Sequence, residues 1–175
     1  MHRMIPHVLS LATRRTALPT LIPQAIMLLC IVELIVLLVI AALSETHRRR
    51  NLGMIALIVA LLALPYGLAA GWSFPGGFVE HGASAMLLGG AMFAGFHLGL
   101  VGDGDVRLMA ALGLWLSPPA AVSALLFTAF IGGLMASAMQ REHRSRLAPP
   151  RVPYTVGIAA AGIVQFAAPL AQLLS

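Results

Sequence analysis

Apolar residues run through this chain in blocks of about twenty, separated by short polar stretches, and within the blocks they do not alternate with polar ones. A helix rising about 1.5 Å per residue needs about that length to cross roughly 30 Å of hydrocarbon. The pattern predicts spans at 24–44, 52–71, 82–101, 120–139 and 154–173. A further apolar stretch, 106–116, is too short to cross alone and is broken by Ser117, Pro118 and Pro119. The expected fold class is all-α, a polytopic helical membrane protein with about six transmembrane segments. An outer-membrane barrel would need alternating segments of about ten residues, which the chain lacks.

Residues 1–23 read as a polar lead-in, with His2, Arg3, His7, Arg14 and Arg15, and Pro19 and Pro23 mark the start of the first span. Residues 24–175 then form a single membrane-embedded unit. No small-residue cleavage site follows a short apolar region, so a cleaved signal peptide is not expected. Gly95 and Gly99 stand at GxxxG spacing in the third span, a pattern that predicts close helix packing.

Composition narrows the class further. The chain has 175 residues, is 59% hydrophobic and only 10% charged, against roughly 25% charged in an ordinary soluble domain. Its net charge of +5 does not describe a nucleic-acid-binding face. All the basic residues are Arg, and seven of them lie in two polar loops, Arg48 to Arg50 and Arg141, Arg144, Arg146 and Arg151. Short arginine-rich loops mark the cytoplasmic side. This places both termini outside and the Gly102-Asp103-Gly104-Asp105 turn on the face of the arginine loops. The lone Cys30 excludes a disulfide framework or a cysteine metal site within one chain.

An ionisable residue at mid-helix costs about 2.5 to 3.5 kcal/mol on insertion scales, so the six acids are the informative residues. Glu80 and Glu142 fall in predicted loops and read as solvated charges. Glu33 falls at the middle of the first span, where a packing or oligomer contact explains it as well as catalysis does. It lies roughly 18 Å along a continuous helix from Glu45, too far to share its chemistry. Glu45, Asp103 and Asp105 map to one membrane face. Two carboxylates held close there share one proton, so that the ionised member draws a proton from water while the other polarises a carbonyl. The glycines beside Asp103 read as freedom to bend and as room for a substrate strand. The same residues also read as a plain turn, with Glu45 balancing the arginines, or as a transporter's ion site. His97, five residues before the turn, reads as a helix histidine near an interface. A zinc site would need three or four convergent ligands, and no such grouping occurs, so no metal or cofactor is expected.

The fifteen residues from Gly102 to Leu116 resemble the GxGD region of the type IV prepilin peptidases, most closely the short branch serving tight-adherence (Flp) pili. That family continues the motif as Gly-x-Gly-Asp-Val-Lys-Leu, and Arg107 keeps the charge of its lysine. Val152-Pro153-Tyr154-Thr155 is similar to the family's Pro-Tyr-Gly opening of the last helix. The resemblance implies a membrane aspartic endopeptidase that needs no cofactor and cuts the leader of prepilin-like substrates at the cytoplasmic face of a bacterial inner membrane. It implies Asp105 and Glu45 as the catalytic pair, with Gly102, Asp103, Gly104 and Arg107 as the supporting motif. Asp103 holds the variable position, so no catalytic role transfers to it. The family's first catalytic residue is an aspartate in an Asp-x-Arg pattern followed by Ile-Pro-Asn. Here Glu45 replaces that aspartate, His47 the arginine, and Ile-Pro-Asn is missing. Because misplacing a catalytic group by about 1 Å can cost on the order of a hundredfold, the departure leaves open an impaired homologue that binds prepilins or pilus-assembly proteins. The expected partners are a prepilin, the lipid bilayer and, through Glu33 or the glycines, a further copy of the chain; no nucleic acid is expected. The cysteine-bearing domain associated with N-methylation in longer relatives has no counterpart in these residues, so the implied activity is peptidase alone.

Overall fold

In lipid the backbone has no partner but itself, and the apolar blocks fold as helices throughout the described residues. The computed structural model describes residues 5–44, 52–142 and 154–174, with side chains for 21–44, 52–138 and 154–174. The elements are α1 (Ile5–Ser44), α2 (Leu52–Ala69), α3 (Gly76–His97), α4 (Asp103–Gly113), α5 (Pro118–Glu142) and α6 (Tyr154–Leu174). The protein is a helical, multi-pass membrane protein. Four of its helices are long and apolar enough to cross, in the segments Leu21–Ser44, Leu52–Ala69, Pro118–Ala138 and Tyr154–Leu174.

The remaining two depart from the predicted six for different reasons. With 22 residues α3 has the length, but its glycines, Glu80, His81 and Ser84 leave it less apolar than the other four. With 11 residues α4 spans only about 16 Å. Another difference lies in α1, which starts at Ile5 and continues through positions 19 and 23, where the prolines predict a start. A proline removes one amide donor, and a membrane helix tolerates that loss.

The third span ends four residues before the predicted boundary. The Gly99 amide bonds the Phe96 carbonyl at 2.9 Å and the Leu100 amide bonds the Gly95 carbonyl at 3.0 Å, with Gly99 at φ +72°. This is the Schellman arrangement, in which glycine takes the left-handed residue without a Cβ penalty. Gly99 is therefore a helix stop, and Gly95 faces Val101 of the same turn. The predicted GxxxG contact is not made there. Close approach between α3 and α4 occurs elsewhere: a Cβ at Gly113 would lie 2.5 Å from the Cα of Ala85, and one at Gly89 would lie 3.0 Å from the Cβ of Ala110.

α4 sits against α2, α3 and α6. Its residues Asp105, Leu108, Met109 and Leu112 are buried, a three-four spacing that forms one inward stripe. Leu34 and Leu38 of α1 and Ile158 of α6 complete this core. Gly162 lets the three helices close, since a Cβ there would stand 2.5 Å from Leu38 Cδ1 and 3.4 Å from Leu112 Cδ1. At the far end of α4, Trp115 donates its indole N–H to the Val59 carbonyl at 2.9 Å and fixes α4 to α2.

Candidate functional site

Gly102 is the residue before the first turn of α4, in an extended conformation (φ −81°, ψ 153°), and its carbonyl accepts from the Asp105 and Val106 amides. That geometry folds the Asp105 side chain back over the glycine, where a Cβ would meet its Oδ2 at 3.2 Å. Two residues on, Gly104 makes room for α2, because a Cβ there would lie 2.8 Å from the Cβ of Leu52. The motif glycines thus clear a carboxylate and a neighbouring helix. Neither has a positive φ, so the predicted role of backbone freedom is replaced by one of close approach.

Asp105 is 3% exposed. Its Oδ1 accepts a hydrogen bond from the hydroxyl of Thr155, which is itself fully buried. Thr155 is positioned in turn by Tyr154, whose ring fills the space over Gly132 of α5: a Cβ at Gly132 would lie 2.2 Å from the ring. The chain of contacts from Gly132 through Tyr154 and Thr155 to Asp105 ties α5, α6 and α4 together at one end of the bundle. Sequence reasoning placed Thr155 only within the last helix opening. The signal available was a lone hydroxyl at the start of an apolar helix, which on its own does not say what it meets.

Asp103 and Arg107 take a different place. Both are exposed, and they pair with each other at 2.8 Å across one helical turn. The pair gives Asp103 a partner on its own helix, one that i,i+4 spacing makes available. His97 ends α3 exposed, its ring edge-on to Phe93 at a centroid distance of 4.5 Å. Glu80, predicted in a loop, lies exposed in the first turns of α3. Glu45, the other predicted catalytic residue, lies outside the described residues, as do His47, Arg48 to Arg50, and the arginines at 144, 146 and 151. The helix that leads to Glu45 is described as far as Ser44. It packs on α2 and α6, whose first turns, at Leu52 and Thr155, touch Gly104 and Asp105.

No family model matches the chain, and no curated protein or solved structure matches it. The site rests on its own geometry.

A groove of about 560 Å³ opens between α2, α3 and α4, walled by small residues such as Gly53, Ala56, Ala85 and Ala110, with Arg107 at its rim. Its α4 residues, 107, 110 and 111, fall about 140° to 240° around the helix from Asp105 at 100° per residue. The carboxylate therefore faces α6 while the groove opens on the other side of α4. A smaller pocket of about 220 Å³ lies at the opposite end of α4, where Trp72 stacks on His81 at 3.6 Å beside Tyr66 and Trp115. It contains none of the predicted site residues.

Proposed function

We propose that the chain is a membrane aspartic endopeptidase of the prepilin-peptidase type, with six membrane segments, working in the inner membrane of a bacterium. The observation that carries this reading is the buried Asp105, held by Thr155 at the start of a short helix in the GxGD position. In this reading Asp105 and Glu45 face one water. Asp105, as the ionised member, takes a proton from the water as it attacks the scissile carbonyl, and the protonated Glu45 polarises the carbonyl oxygen. The peptide bond then breaks, and its nitrogen leaves with a proton from the dyad. The substrate is the leader of a prepilin-like protein, cut on the cytoplasmic side next to its apolar segment.

One observation favours a second reading: Glu45 stands where the resemblance calls for aspartate. A carboxylate displaced by about one methylene leaves a protein that still binds prepilins or pilus-assembly proteins but cuts them slowly or not at all.

Cleavage of a co-expressed Flp-type prepilin by the parent chain, Asp105→Asn, Glu45→Gln and Glu45→Asp separates the two. The peptidase reading expects cutting by the parent chain, loss in both amide variants, and cutting by Glu45→Asp at least as fast. Cutting restored only by Glu45→Asp establishes the binding reading, and cutting unaffected by Asp105→Asn removes the dyad altogether.

A further inference from the structure

α1 carries two stripes on opposite sides. Ile31, Leu34, Leu38 and Ala41 are buried against the bundle. On the other side Ile22, Ile26, Leu29, Val36, Ile40 and Leu43 are exposed, from 38% at Ile26 to 66% at Leu43, and exposed Glu33 lies in line with them. Read with Glu33, their positions follow one another by four and three residues in strict alternation from 22 to 43. That is the spacing of a heptad seam, in which Ile26, Glu33 and Ile40 take the a positions and Ile22, Leu29, Val36 and Leu43 the d positions. β-Branched isoleucine at a with leucine at d favours a parallel pair of helices, leucine holds two of the four d positions here, Leu29 and Leu43, and one polar residue at a sets register and partner number.

Glu33 is the polar residue of this seam and lies twelve residues into the 24-residue span Leu21–Ser44. Among the described residues it has no hydrogen-bond or ion-pair partner. Hydrocarbon provides none, and an unsatisfied polar group at that depth is costly. A second copy, inserted in the same orientation, brings its own Glu33 to the same depth. A neutral carboxyl group carries one O–H donor and an acceptor oxygen, so two facing each other are mutually satisfied.

We infer that the outer face of α1 is the interface of a parallel homodimer, two α1 helices pairing along residues 22–43 with Glu33 hydrogen-bonded to Glu33 of the second copy. The two helices cross at about 20° in the left-handed sense of such seams.

The test uses the full chain, labelled with donor and acceptor dyes and reconstituted into phosphatidylethanolamine and phosphatidylglycerol vesicles over a range of protein-to-lipid ratios. The association constant of Glu33→Leu is expected to fall about tenfold, within the range of interhelical hydrogen bonds in membranes. Glu33→Gln, which still donates and accepts, is expected to stay within about twofold. Leucine at a lipid-facing site does not oppose folding, so the loss reports on association. In a Cys30→Ala background, oxidative cross-linking is expected at Leu29→Cys and Val36→Cys and more weakly at Val32→Cys and Val39→Cys. Association unchanged in Glu33→Leu, cross-linking that does not follow the seam, or a chain that stays monomeric at every ratio overturns the dimer; the last assigns Glu33 to a different membrane protein.

Discussion

At the scale of single residues, the site depends on a hydroxyl that nothing in the motif announces. Thr155 donates to the buried Asp105 carboxylate, and a buried acceptor that loses such a donor costs about 1 to 3 kcal/mol. Thr155→Val is expected to destabilise the protein by that amount in thermal unfolding in detergent, while Thr155→Ser, which keeps the O–H, stays near the parent. Equal melting of the valine and serine variants would show the hydroxyl to be idle. Asp103 offers a contrast two residues away. Its pairing with Arg107 is exposed at both ends, 62% and 60%, and exposed pairs contribute roughly 0 to 1 kcal/mol. Asp103→Asn is accordingly expected to shift the same melt by less than about 1 kcal/mol, and to leave cleavage within a few-fold of the parent.

Among the helices, α4 is the element on which the fold turns. It is the shortest, and it is held by close backbone approach on one side and by Leu108, Met109 and Leu112 on the other. Where a new Cβ meets backbone, the neighbour has little freedom to give. Gly113→Ala, 2.5 Å from the Ala85 Cα, is expected to cost about 1 to 3 kcal/mol or more in the detergent melt. Gly89→Ala, facing the Ala110 methyl at 3.0 Å, should cost less. The reverse order would mean that α3 and α4 do not meet at Gly113. The GxxxG spacing at Gly95 and Gly99 misdirects because glycine answers two demands that spacing cannot separate, close packing and a left-handed helix stop. Gly99 serves the second.

For the molecule as a whole, the ends of the bundle are chemically unlike. One end gathers Asp105, Thr155 and the first turns of α2 and α6; the other gathers Tyr66, Trp72, His81 and Trp115. Arginine-rich loops face the cytoplasm and aromatic residues populate the interfaces. In a Cys30→Ala background, cysteines at positions 48 and 144 are expected to react with an impermeant maleimide only in inverted vesicles. One at Ser73, in the aromatic turn between α2 and α3, is expected to react from outside in intact cells. All three reacting from one side would overturn the proposed six-segment topology.

Much of this was legible in the chain itself. Lipid demands that every backbone amide be satisfied locally, so long apolar blocks specify helices, and α2, α5 and α6 fall within a few residues of the predicted spans. Asp105 could also be singled out, because a charge beside a membrane segment is costly enough to require a reason. What tertiary structure decided was the meeting of distant residues: Thr155 with Asp105, fifty positions apart, Leu52 with Gly104, and Ala85 with Gly113. It decided as well that Glu33 faces outward while Asp105 faces inward. Hydropathy distinguishes apolar from polar positions but cannot say which apolar face meets lipid and which meets protein, since both environments are equally dry. Only the packing of one helix on another separates them.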